Sequence, residues 1–383
     1  MPATLDYAKP DLADRVRFGE EAGETAGENV AETSLFPRPV RRHEIIYLTN
    51  QLAIMVDTGV TLSSALTSIL QQEQNPTLRR VLAELRSAVE AGEDFSAALA
   101  RHPKYFDHTY VSLVRVSEAT GSLPEMLDRI GTYLRKQLET RNKVRAAMAY
   151  PAVMLVMAIC VTVFLLTWVM PKFTPIFDNR GMQLPTPTRI MMTASDVLIG
   201  YWYLWVGGTV ALIAGGIASL RTEPGRQAWD WLKISLPVLG SAMRKVIISR
   251  TIRTLGVMVQ SGISMLDALR LAADVSGNRH YERLWLRVLD EVTNGAEIHA
   301  ALAGSPLLPS TLVQMIRSGE ETGKLDKVLA RVSDYYDQEV ETALKAATSL
   351  IEPLMIAGMG VVVGGIGLAL LLPVFSLSKP GGH

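Results

Sequence analysis

Two hydrophobic patterns alternate along this chain. One is amphipathic with a helical period: Leu78, Leu82, Leu85 and Val89 recur at spacings of three and four, which places them on one face of a helix. The other has no polar relief. Pro151 to Met170 (PAVMLVMAICVTVFLLTWVM) is twenty residues without a charge. At 1.5 Å per residue it spans about 30 Å, the thickness of a bilayer's hydrocarbon layer. Val197 to Leu220 is a second uncharged run, with Tyr201, Trp202, Tyr203 and Trp205 at one end, rings that suit a membrane interface. Pro353 to Leu372 is the third. A charge at mid-bilayer costs about 2.5–3.5 kcal/mol, so three charge-free runs read as membrane spans rather than soluble core. Strand signals are nearly absent, and the expected fold is all-α.

Local signals divide the amphipathic stretches into short antiparallel helices. Asn75 followed by Pro76 fits an N-cap and first helical residue. Gly59 and Gly262 fit helix ends in the left-handed conformation that excludes most side chains. Ser122 with Glu125 predicts a capping box opening a long helix. Nothing interrupts that helix before Tyr150-Pro151, so it is expected to enter the membrane as a stalk.

An internal repeat organises the whole chain. LAIMVDTGVTLSSAL (Leu52–Leu66) matches LGVMVQSGISMLDAL (Leu255–Leu269) at an offset of 262 − 59 = 203. The register persists at Gly92/Gly295 and Ala98-Leu99/Ala301-Leu302. It becomes 202 where Glu118-Ala-Thr-Gly121 matches Glu320-Glu-Thr-Gly323, Pro151 matches Pro353 and Pro171 matches Pro373. The unit duplicated is a helical bundle followed by a span. The expected domains are a disordered acidic segment (1–40), a first bundle (41–150), span one (151–171), a loop (172–196), span two (197–220), a second bundle (221–350), span three (351–373) and a short tail (374–383).

Composition refines this picture at a few points. Residues 1–36 hold eight acids against Lys9, Arg15 and Arg17, too polar to offset their ordering entropy by burial. They contain no apolar stretch of the kind found in a cleaved secretion signal. Zero formal net charge gives no basic field for nucleic acid. The single Cys160 lies in an apolar run, as a lipid-facing or packed thiol, and allows no intramolecular disulfide. Cations set the expected orientation. Arg135, Lys136, Arg141, Lys143 and Arg145 precede span one; Arg221, Arg226 and Lys233 follow span two; Lys345 precedes span three. The loop carries only Lys172, Arg180 and Arg189, partly offset by Asp178 and Asp196. Positive charge favours the cytoplasm, so both bundles are expected inside, and the loop (turn-rich through Pro171, Pro175, Pro185 and Pro187) and the tail outside.

The residues from Lys143 to Pro171 resemble a known signature. Lys143-Val144, Ala147-Met148, Tyr150-Pro151, Met154, Ala158, Leu165 and Val169-Met170-Pro171 agree with that of the inner-membrane platform proteins of type II secretion systems and type IV pili, the general secretion pathway F family. Both copies carry that family's Gly-Val/Ile turn (Gly59-Val60, Gly262-Ile263) and its Glu…Thr-Gly-x-Leu block (Glu118 to Leu123, Glu320 to Leu325). The resemblance covers residues 41–375. One departure is Glu352 where the first copy has Tyr150. The resemblance implies a multi-pass scaffold in the bacterial inner membrane and not an enzyme. It would couple a cytoplasmic assembly ATPase to pilins or pseudopilins, beside other inner-membrane platform components and as a homo-oligomer in the lipid bilayer.

Candidate chemistry elsewhere is thin. Six histidines show no metal-ligand spacing and read as surface or loop residues. Gly319 to Lys324 has one residue too few between its glycines for a phosphate loop and no Ser/Thr after the lysine. Carboxylates cluster at Glu320-Glu321 and at Asp334, Asp337, Glu339 and Glu341. A divalent-cation site is one reading and a solvated helix face the preferred one. Gly207, Ala211 and Gly215, then Gly360 and Gly364, form small-residue faces that would let spans pack within or between protomers. No catalytic, cofactor or metal site is proposed from sequence. An oligomeric transporter is the alternative class, but no span holds the mid-bilayer ionisable group such proteins use.

Overall fold

In this computed structural model, residues 38–172, 186–237 and 239–378 are described. Among them every regular element is helical. The first copy comprises α1 (Arg42–Asp57), α2 (Leu62–Gln72), α3 (Pro76–Glu90), α4 (Phe95–Ala100), α5 (His108–Thr120) and α6 (Leu123–Phe164), the last continuing as a π-helical turn, Leu165–Val169. Next come α7 (Thr186–Gly200), α8 (Trp202–Ser219) and α9 (Glu223–Ser235). The second copy is α10 (Leu239–Gln260), α11 (Met265–Val275), α12 (Arg279–Thr293), α13 (Ile298–Leu302), α14 (Ser310–Glu321) and α15 (Leu325–Ser378).

Local chemistry sets most boundaries as expected. Asn75 caps α3 by accepting from the Thr77 amide at 3.1 Å, with Pro76 in the first turn. Leu78, Leu82 and Leu85 of that helix are buried and Val89 half-buried. Gly59 and Gly262 have φ of +87° and +76°, a conformation costly for any residue with a Cβ. The Ser122 box does not form. Ser122 has ψ of 39° rather than an extended backbone, and its hydroxyl shares a 2.7 Å hydrogen bond with Thr120 instead.

The two bundles share one continuous apolar cluster. It runs from Leu52, Leu66 and Leu113 in the first copy to Leu269, Trp285 and Leu312 in the second. The seam lies where α6 passes α10. There Tyr133 and Thr254 hydroxyls meet at 3.2 Å and Arg129 donates to the Gln260 carbonyl at 2.8 Å.

Among the described residues three helices are long and apolar enough to cross a membrane, within Leu123–Lys172, Trp202–Ser219 and Leu325–Ala369. Their apolar windows are at most 6% buried within the chain. Such exposure is costly in water and ordinary in lipid. Cys160 is exposed on the first of them.

Several sequence expectations change. One holds: the stalk enters its apolar span as expected, α6 continuing past Pro151, and α15 likewise continues past Pro353. A proline removes one amide, and in lipid no water competes for the other backbone groups. The loop expected over 172–196 is helical from Thr186, because Pro187 sits in a first turn, where a missing N–H costs nothing. The run expected as span two is divided by a break at Tyr201, Val197 to Gly200 ending α7 and Trp202–Ser219 forming α8. The tail expected from 374 remains helical to Ser378. The small-residue faces at Gly207, Gly215, Gly360 and Gly364 meet no other atom within 4 Å, so they do not pack spans within the chain. The acidic segment, apart from its last residues 38–40, and Pro175, Arg180 and Pro185 lie outside the described residues.

Candidate functional site

The motif residues sort into three structural sets. In the first, the paired glutamates cap helices. Helix α4 follows Asp94, whose side chain makes no cap bond; instead Glu118, from the end of α5, accepts from the Ser96 amide at 3.2 Å. The second copy repeats this. Glu320 accepts from the Ile298 and His299 amides at 2.7 and 3.0 Å, and its carboxylate stands 2.9 Å from His299 Nδ1. Burial pushes the Glu320 pKa up, but the His299 and Ile298 amides and the His299 ring together outweigh it and hold it below the usual value. Gly121 and Gly323, with φ of +70° and +65°, then turn the chain into the stalks. The Glu…Thr-Gly block is thus a cap and a turn.

The second set is the neck, where the stalks α6 and α15 run side by side. Lys136 pairs with Asp334 at 2.5 Å, Lys143 with Glu341 at 2.7 Å, and the Tyr150 hydroxyl donates to Glu352 at 3.4 Å. Lys136, Lys143 and Tyr150 are seven apart, as are Asp334 and Glu341, the period at which two α-helices keep one seam together. Tyr150 and Glu352 are repeat equivalents, so the departure from the signature places a donor opposite an acceptor. Lys143 and Lys345, also equivalents, both hold Glu341, the second at 2.9 Å. The Lys143 and then Lys345 contacts pull its pKa down to about 2. Asp337 pairs with Arg253 and accepts from Ser249 at 2.6 Å, and Lys245 pairs with Glu339 at 2.5 Å. These four acids each pair with a cation, Asp334 and Glu341 on the solvated face expected and Asp337 against the buried Arg253. Among the described residues no group of three or more potential ligands could hold a metal.

The third set lies at the far end of the spans, and the sequence held no signal for half of it. In the π turn the Met170 amide reaches the Leu165 carbonyl, so the Leu166 carbonyl would look to residue 171. Pro171 has no N–H, and the Ser195 hydroxyl donates to Leu166 instead, at 2.5 Å. In α15 the Ala369 carbonyl would look four residues on, to Pro373. Thr188 donates to it at 2.7 Å. Thr188 and Ser195 are seven apart on one face of α7, both only 2% exposed. One helix thus satisfies the carbonyls orphaned by two equivalent prolines. Such rescue is what permits proline at membrane depth.

A duplicated all-α unit with ion-paired stalks running into apolar spans defines a class: repeat-built polytopic membrane scaffolds. Comparison with known families narrows it. The model of the type II secretion system protein F family matches residues 48–171 and again 251–373. The type IV pilus assembly protein PilC of Myxococcus xanthus is 38% identical over 88% of this chain and 81% of its own length. PilC of Thermus thermophilus is 37% identical over 87% and 82%, and the type II secretion system protein F of Vibrio cholerae 33% over 90% and 85%. The chain belongs to the type II secretion system protein F family.

Proposed function

We propose that this protein is the inner-membrane platform of a type IV pilus or type II secretion machine. It would sit with both bundles in the cytoplasm, beside the machine's other inner-membrane components. The observation supporting this reading is the double family match, one per structural repeat, to relatives named for pilus assembly and type II secretion. A platform couples its parts mechanically. The neck suits mechanical coupling, because a displacement of either bundle passes along ion-paired stalks that stay helical from bundle to span. On this reading a cytoplasmic assembly ATPase docks on the bundles and pilins or pseudopilins meet the spans, with the open glycine faces of span two and span three available to a second copy.

Two measurements test it. Deleting the gene should abolish surface filaments or secretion while solute uptake stays intact; filaments and secretion unchanged by deletion would refute the platform reading. The full chain in lipid nanodiscs should bind the assembly ATPase of its own organism and alter its hydrolysis rate. Absence of both effects would place the motor contact elsewhere.

A further inference from the structure

A cavity in the neck has no part in the coupling described above. It measures about 380 Å³ and lies between the start of α1 and one face each of α6 and α10. Arg42, Arg141, Arg145, Arg250 and Arg253 line it, and no carboxylate does. Asp337, outside the lining, pairs with Arg253. Arg42 donates to Gln137 at 2.6 Å and Arg250 to the Val275 carbonyl at 3.3 Å. Among the described residues Arg141 and Arg145 have no hydrogen-bond or ion-pair partner. Arg253 is 4% exposed, and its Nε is buried without a partner. Burial lowers the Arg250 pKa, and the charges of Arg141, Arg42 and Arg253 push the same way. Guanidinium groups stay charged regardless, so five of them around one hollow is a cost that a bound anion relieves.

Depth and continuity identify the anion. Met148, at the membrane end of the lining, precedes the first residue of span one by three positions, about 4.5 Å along the axis. That is the level of lipid headgroups, where basic pockets bind anionic phospholipids. The same face of α6 then continues into the bilayer. Arg141, Met148, Leu155 and Thr162 follow at intervals of seven, a spacing that drifts only about 20° per step. Leu155 and Thr162, with Ala158, line a second hollow of about 380 Å³, apolar this time, closed by Leu354, Gly358 and Met359 of α15.

We propose that the two hollows are one binding site for an anionic phospholipid of the bundle-side leaflet, its phosphate held by the arginines and an acyl chain laid between span one and span three. The assignment rests on an arginine cluster and an apolar groove sharing one helix face across the headgroup boundary.

Native mass spectrometry of the full-length protein in mild detergent tests it, with phosphatidylglycerol and phosphatidylcholine of equal chain length added in turn. The wild type should retain about one phosphatidylglycerol per chain in preference to phosphatidylcholine. Arg141→Gln with Arg145→Gln, both exposed positions, should weaken retention about thirtyfold, taking roughly 1 kcal/mol per cation. Arg270→Gln with Arg283→Gln, exposed and remote from the cavity, should leave it unchanged. Gly358→Trp, which fills the apolar hollow without touching an arginine, should weaken it too. Equal retention by the Arg141/Arg145 variant, or no preference over phosphatidylcholine, would overturn the site. Full displacement of the lipid by inorganic phosphate at equal concentration would overturn the lipid as its source.

Discussion

Arg253 lies between three helices and gives its Nη2 to Asp337, to Thr140 at 3.2 Å and to Ser249 at 3.0 Å. Removing one partner of a buried pair costs more than removing both, because the survivor keeps its desolvated charge. Arg253→Met is therefore expected to lower unfolding stability by about 3 kcal/mol, and Arg253→Met with Asp337→Leu by clearly less. Thermal unfolding in detergent would show the difference, and equal losses would argue that Asp337 is adequately solvated by itself. Glu320 makes the residue-scale case for pH. Its folded pKa lies below the ordinary value of 4.5, so its contribution is complete above about pH 4.5 and fades as pH falls through the folded value. Exchange of the Ile298 and His299 amides, corrected for intrinsic rate, should speed up as pH drops from about 5 to about 3. Glu320→Gln should remove that dependence. Unchanged protection across the range would show that the cap does not hold α13.

At the scale of elements, α7 carries the sharpest expectation. Ser195→Ala leaves the Leu166 carbonyl without a donor inside an apolar end, a loss of about 1–3 kcal/mol. Pro171→Ala restores an amide five residues on, so the pair of substitutions should recover most of that loss. Thermal melts of the two singles and the double decide it; no recovery in the double would mean that Ser195 acts elsewhere. This element also shows what a sequence conceals. Clustered prolines read as a turn-rich loop, yet Pro187 starts a helix, and Pro171 and Pro373 orphan the carbonyls that Ser195 and Thr188 satisfy. Proline's effect depends on which carbonyl faces it, and that is tertiary information. The neck was half legible. The seven-residue spacing of Lys136, Lys143 and Tyr150 stood in the sequence and the acids read as a solvated face, but their cation partners on the other helices did not show. The Ser122 box failed for a local reason, since one backbone angle sent the hydroxyl to Thr120.

The whole molecule was the most legible level, because its determinants are long patterns. Three apolar runs and a 203/202 register cannot arise from a few residues, and the family model matches both copies separately. The shared core was not foreseeable, since a repeat fixes each copy but not the face each turns to the other. The Arg253 and Arg250 environment belongs to that hidden face, between α6 of one copy and α10 of the other. All of this depends on lipid covering the exposed apolar spans, and Cys160 reports on it directly. It is the chain's single cysteine, exposed within the first span. A charged reagent is excluded from the hydrocarbon layer, so a thiol at that depth is out of its reach. In membranes opened to both faces, a charged, membrane-impermeant maleimide is predicted to leave Cys160 unlabelled until denaturing detergent is added. Prompt stoichiometric labelling in the intact bilayer would contradict the account.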